Sequence, residues 1–137
     1  MSYANGKEQN QQRLKAVKVI EIAFSCYPVT DLSRARKFYE GTLGLEQTKL
    51  FGDDKQGWVE YDIGPSTLAI TNFSPEWKPS ADGGGVGLEV ENFDAAIAEL
   101  KQAGTRFRVE PEETPVCHMA VVFDPDGNAV CIHKRKA

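Results

Sequence analysis

The sequence predicts an α+β protein built from two copies of a βαβββ unit. Three observations carry this. Strand-like and helix-like stretches alternate in the same order twice, the two helix starts align in register, and so do the two last strands. Val29-Thr30-Asp31-Leu32 superposes on Val90-Glu91-Asn92-Phe93, which places strand end, helix cap and first apolar helix residue together. Ala35 then matches Ala96, and Tyr39 matches Leu100. Further on, Ser66-Thr67-Leu68-Ala69-Ile70 matches Asn128-Ala129-Val130-Cys131-Ile132, each just past a turn. Two ordinary βα units could agree by coincidence in one of these features. Agreement of helix and hairpin in both order and spacing points instead to internal duplication, which decides the fold class.

The elements follow in chain order. Residues 1–15 are polar and aperiodic and read as a disordered tail, with a single domain over 16–137. Within that domain the first unit spans about 17–72, a linker about 73–84 and the second unit about 85–134. Val19 to Tyr27 is rich in β-branched and aromatic residues and reads as a strand limited by Pro28. Asp31 can cap a helix, because its carboxylate accepts from the free amides of the first turn. Leu32, Ala35, Phe38, Tyr39 and Leu43 share one side of that helix, and Gly41 and Gly44 supply its stop. Strands are expected near 45–51, 57–62 and 66–72, with Gly64-Pro65 turning between the last two. Two prolines, the Gly83-Gly84-Gly85 run and Trp77 mark the linker. Val86 to Val90 reads as the next strand, Asn92 as a second cap, and Phe93, Ala96, Ile97 and Leu100 as the second apolar stripe, ended by Gly104. Strands near 106–109, 116–123 and 128–133 complete the copy. Asp124-Pro125-Asp126-Gly127-Asn128 joins the last two: proline fixes one corner and glycine tolerates the positive φ after it.

Composition narrows the function. Of 137 residues, 41% are hydrophobic and 26% charged, ordinary for a globule with a real core. The formal charge of −4 argues against nucleic-acid binding, which needs a concentrated basic surface. Lys134-Arg135-Lys136 is too short a basic run to change that and reads as a solvated terminus. Cys26, Cys117 and Cys131 are widely spaced and odd in number, so neither a zinc knuckle nor a disulfide framework is suggested. No apolar run has signal-peptide or membrane-span length. A cytoplasmic protein without membrane or nucleic-acid partners is expected.

At this point the residues resemble a known family. Val29 through Tyr39, followed by Leu43-Gly44-Leu45, resembles the first-helix signature of the vicinal oxygen chelate superfamily, and Asp124 through Asn128 its last-hairpin signature. That superfamily includes glyoxalase I, bleomycin-resistance proteins, fosfomycin-resistance enzymes and extradiol dioxygenases, and the resemblance covers residues 19–134. It implies that each unit curls its four strands into a curved half-barrel, with helices outside and ligands in the concave interior. Many such relatives are homodimers that build each cavity from two chains, so a homodimer is expected here.

Metal-dependent members of the superfamily carry His or Glu at four symmetry-related inward positions. Carried onto this sequence residue by residue, those positions are Phe24, Ala69, Gly85 and Cys131. A single thiol is too few donors for a stable metal site, so no metal and no cofactor is expected. Strand alternation adds Cys26 and His133 to Phe24 and Cys131, and the resemblance, in which relatives turn the position of Tyr61 against the helices, implies that Trp58 and Glu60 face inward too. Phe24, Cys26, Trp58, Glu60, Cys131 and His133 are the expected ligand-binding residues. A pocket of that composition, mostly apolar with a few polar groups, suits recognition of a small apolar or aromatic compound.

Two functions from different classes remain. One is a metal-independent small-molecule-binding protein of the glyoxalase/bleomycin-resistance type. The other is a lyase or dioxygenase-like enzyme of the same superfamily, with a displaced metal or with metal-free acid/base chemistry by His133, Glu60 and Cys131. The second demands hydrogen-bond contact among these groups, and residues two apart on a strand lie about 6.5–7 Å apart. A cysteine in a cavity usually serves as a small hydrophobe. The side of its strand that His118 occupies stays open at this level, and it is left out of the site.

Overall fold

Both helices begin where a polar side chain can satisfy the first turn. The computed structural model describes residues 18 and 20–136; the polar tail lies outside the described residues. Asp31 accepts from the Arg34 amide and opens helix α1, Leu32–Arg36. Asn92 does the same for the Ala95 amide and opens helix α2, Phe93–Gln102. The strands are β1 (Ser25–Pro28), β2 (Gln47–Gly52), β3 (Gly57–Ile63), β4 (Ser66–Thr71), β5 (Gly87–Glu89), β6 (Phe107–Glu113), β7 (Cys117–Phe123) and β8 (Ala129–Arg135). They form two four-stranded sheets of identical plan, β1-β4-β3-β2 and β5-β8-β7-β6. In each, the first strand of the unit lies parallel to the last and the remaining pairs are antiparallel. Neither sheet closes on itself; each is half a barrel, and the fold is the duplicated α+β architecture.

Two elements differ from the sequence reading. The first strand was expected over Val19 to Tyr27, yet pairing begins only at Ser25, opposite Leu68 of β4. In this parallel register β4 begins at Ser66, opposite residue 23, so residues 20–22 run past the sheet beside the Gly64-Pro65 turn, and residues 23 and 24 make no ladder pairs. Ile20 and Ile22 are consequently 80% and 85% exposed. The first helix, expected to run unbroken to Leu43, changes pitch at Lys37 and continues as a π-helical stretch, Lys37–Thr42. There the Leu43 amide donates to the Phe38 carbonyl, five residues back. The wider turn lets the adjacent Phe38 and Tyr39 both enter the core, their rings perpendicular at 5.1 Å.

Strand alternation sorts each sheet into two faces. Tyr27, Val59, Tyr61, Leu68 and Ile70 from the first sheet, and Ala120, Val122, Val130 and Ile132 from the second, share one core with the helices. Tyr39 stands in its middle, stacked on Tyr61 at 6.1 Å and donating its hydroxyl to Asp124 at 2.9 Å. The Asp124–Asn128 turn then fastens the second unit to the first. Asn128 Nδ2 donates to the Pro28 carbonyl, its Oδ1 accepts from the Ser80 amide, and Asp126 accepts from Thr30 and Arg34. Gly127 takes φ +87°, which the turn requires. The Tyr27 hydroxyl also bridges the units, donating to the Ala129 carbonyl and accepting from the Val86 amide.

Candidate functional site

The faces turned away from the helices carry the residues left over by core packing. In β3, Val59 and Tyr61 are fully buried in the core, so Trp58 and Glu60 stand on the opposite, open face. Register places Cys26 of β1 beside Ala69 of β4, and Ala69 beside Glu60. Phe24 lies just ahead of β1, 46% exposed, with its ring edge-on to Trp58 at a centroid distance of 5.2 Å. The indole Nε1 of Trp58 donates to Glu60 at 2.9 Å. Lys49 and Phe51 of β2 stand opposite Glu60 and Trp58 respectively. The first sheet thus presents an aromatic corner beside an anchored carboxylate.

The second sheet offers a different surface. Gly87, Cys131 and Val121 form one cross-strand row, and Glu89, His133 and Met119 the next. His133 Nδ1 lies 2.7 Å from Glu89 Oε1, while Glu89 Oε2 accepts the Arg135 amide at 2.7 Å. The Arg135 amide foremost, and then His133, hold the Glu89 carboxyl below its ordinary range. Sequence reasoning weighed Glu60 as the partner of His133; the two stand on different sheets, and the carboxylate touching His133 is Glu89. The signal was present in the repeat. Pairing the first strand of a unit with its last sets Glu89 directly across from His133, as Cys26 is set across from Ala69.

The other histidine, His118, sits on the helix side with its ring 5.5 Å from that of Phe93. Cys26 borders a hollow of about 280 Å³ whose wall includes Trp77, Lys78 and Val86. A larger hollow, about 510 Å³, follows the apolar seam between the units at Leu45, Leu68, Leu88 and Ile132. Phe24, Trp58, Glu60, Cys131 and His133 lie outside both, on faces open to solvent in the single chain.

Residues 20–132 match the family model of the Glyoxalase/Bleomycin resistance protein/Dioxygenase superfamily. The chain belongs to this superfamily. No curated protein matches it. Among solved structures it is similar to UcmS2, with 26% identity and a TM-score of 0.69 over 85% of this chain and 98% of that one. It is also similar to a glyoxalase/bleomycin resistance protein from Streptomyces sp. CB03234, with 25% identity and a TM-score of 0.68 over 83% and 100%. TnmS3, an antibiotic binding protein from the same Streptomyces, shares the fold at 23% identity and a TM-score of 0.73 over 88% and 99%.

Some members of this superfamily hold a divalent metal at four positions. In this chain those positions present the Phe24 ring, the Ala69 methyl, no side chain at Gly85, and the Cys131 thiol. Space at Gly85 is tight: a Cβ there would meet the Ala129 carbonyl at 3.1 Å and the Tyr27 hydroxyl at 3.2 Å. Among the described residues no three His, Cys, Asp or Glu side chains form a metal-binding group. This donor set does not fit a divalent ion. The thiols fare no better as nucleophiles. Burial, followed by the Glu60 charge, pushes Cys26 up to about 12, and burial raises Cys131 as well.

Proposed function

We propose that this protein is a metal-independent small-molecule-binding protein that encloses an apolar or aromatic compound between its open half-barrel faces. The observation that carries the reading is the Phe24–Trp58 corner beside Glu60. A metal-dependent member would use this surface to aim ligating side chains inward. Here two rings stand perpendicular, and the one carboxylate is occupied by an indole N–H. Such a surface offers stacking area and one polar anchor, the usual composition of a recognition site. The binder named among the similar structures supports the class of function; its guest belongs to that protein alone.

The site residues in this reading are Phe24, Cys26, Trp58, Glu60, Cys131 and His133. A homodimer closes the faces. The apolar side chains left bare in one chain support that assembly: Ile20, Ile22, Phe24 and Phe51 are all large, hydrophobic and exposed. The cytosol suits three free thiols. Among the described residues no helix is long and apolar enough to cross a membrane.

A thermal-shift screen of the full chain against flat aromatic compounds, followed by calorimetry on the hits, tests binding. Saturable binding to wild type that is weakened in the Trp58→Ala protein supports the reading. A screen without hits, or hits indifferent to Trp58, overturns it. Elemental analysis of protein purified without chelator adds a second arm, in which a stoichiometric divalent ion would defeat metal independence. Light scattering at micromolar concentration reads the assembly: twice the 15.1 kDa chain mass supports the dimer, and a monomer refutes it.

A further inference from the structure

The second sheet carries a polar device that the aromatic corner does not explain. His133 belongs to the open face, because its neighbour Ile132 is buried in the core and its cross-strand partners are Met119 and Glu89. A carboxylate can only accept, so in the neutral imidazole the 2.7 Å contact with Glu89 Oε1 fixes the proton on Nδ1. Glu89 is itself immobilised, with its other oxygen on the Arg135 amide and the Arg135 guanidinium 3.8 Å from Oε1. The second ring nitrogen of His133 makes no hydrogen bond among the described residues and is left as an acceptor. Around it the same face supplies Met119, Cys131 and Val121, soft and apolar, with bare backbone at Gly87. Met sulfur makes favourable contacts with aromatic rings.

We infer that His133, oriented by Glu89, accepts a hydrogen bond from a hydroxyl group on the guest, so that the preferred ligands are hydroxyaromatic compounds. This rests on the small-molecule-binding reading above and narrows it. Glu89 acts as a positioning residue: it never meets the guest, and its work is to hold the neutral ring in the Nδ1–H tautomer, which leaves Nε2 as the acceptor. The selection is chemical. A phenolic O–H donates to Nε2, whereas its methyl ether leaves that nitrogen stripped of water and unpaired.

The test compares 2-naphthol with 2-methoxynaphthalene by calorimetry on the full chain, with nitrogen-resolved NMR of the imidazole rings. The chain has only two histidines, so the spectrum contains two ring systems, and His118 serves as the reference. Wild type is expected to show the Nδ1–H form at His133 and to bind the naphthol about tenfold tighter than the ether. His133→Phe should bind both probes with that preference gone. Glu89→Gln, which can donate to Nδ1, should move the ring proton to Nε2 and erase the preference while the protein stays folded. Equal affinity of wild type for the two probes, or a preference that survives in His133→Phe, overturns the inference and leaves the binding reading standing. Failure of wild type to bind either probe or any other aromatic compound overturns both.

Discussion

Trp58 is held at both ends: its indole N–H is spent on Glu60 and its ring meets the edge of Phe24. A ring fixed in that way loses little freedom when a guest stacks on it, which is what makes it a good platform. Trp58→Ala is therefore expected to raise the dissociation constant of an aromatic guest about tenfold or more, or about 1.4 kcal/mol, by calorimetry. Because the side chain stands outside the core, urea unfolding should shift only slightly. Gly85 obeys the opposite logic. It contacts no guest in this reading, but an added methyl would press on the Tyr27 hydroxyl and the Ala129 carbonyl. Gly85→Ala should destabilise the protein by about 1–3 kcal/mol in urea titration, as overpacking does elsewhere. An unchanged midpoint would mean that the backbone there yields more easily than the close approach suggests.

At the scale of elements, the short strand β5 and the last strand β8 are tied by side chains as well as by their ladder. Glu89 takes the Arg135 amide and His133, and its carboxyl lies below the ordinary value of 4.5. A carboxyl lowered in the folded state contributes stability that is fully present above its ordinary value and is lost as pH falls through the lowered one. The gap in unfolding free energy between wild type and Glu89→Gln should thus be fully open above pH 4.5 and close progressively as pH falls below it. Chemical denaturation at a series of pH values measures it, and a gap independent of pH would refute the linkage.

Most of the elements were legible in the sequence because their signals are local. Asp31 and Asn92 are caps by chemistry, the Asp124-Pro125-Asp126-Gly127-Asn128 turn is written in its residue types, and alternation in β3 separates Trp58 and Glu60 from Val59 and Tyr61. Residues 20–24 were misread as paired strand because β-propensity reports a side chain's fitness for a sheet and says nothing of where the partner ends. The π-helical stretch was invisible for a related reason: it accommodates two adjacent core aromatics, Phe38 and Tyr39, which is a demand of packing. Glu89 was overlooked at the site because its importance comes from a parallel pairing 44 residues away in sequence. No neighbouring residue announces it.

In the whole molecule, the two copies of the unit depend on one another through buried polar groups. The Asp124 carboxylate receives four hydrogen bonds, from Tyr39, from the Asp126 amide, and from the amide and side chain of Asn128. Burial raises its pKa first of all, and these donors oppose that shift. Tyr39→Phe removes the one donor that comes from the first unit and leaves a buried oxygen short of a partner. A loss of about 1–3 kcal/mol in urea is expected, with both units melting in a single transition. Two separated transitions would show that the units hold together by something other than this turn.

The Tyr27 phenol has a consequence for how the gene could be cut or recombined. Its oxygen is wired to both ends of the second copy, giving a proton to the start of β8 and taking one just ahead of β5. Neither copy alone owns a complete set of partners for that oxygen or for its two mates. Severing the chain between residues 73 and 84 should yield fragments that are individually molten and that regain sharp spectra on mixing. Swapping one copy for its counterpart from another member should succeed only where this three-way junction is transplanted intact.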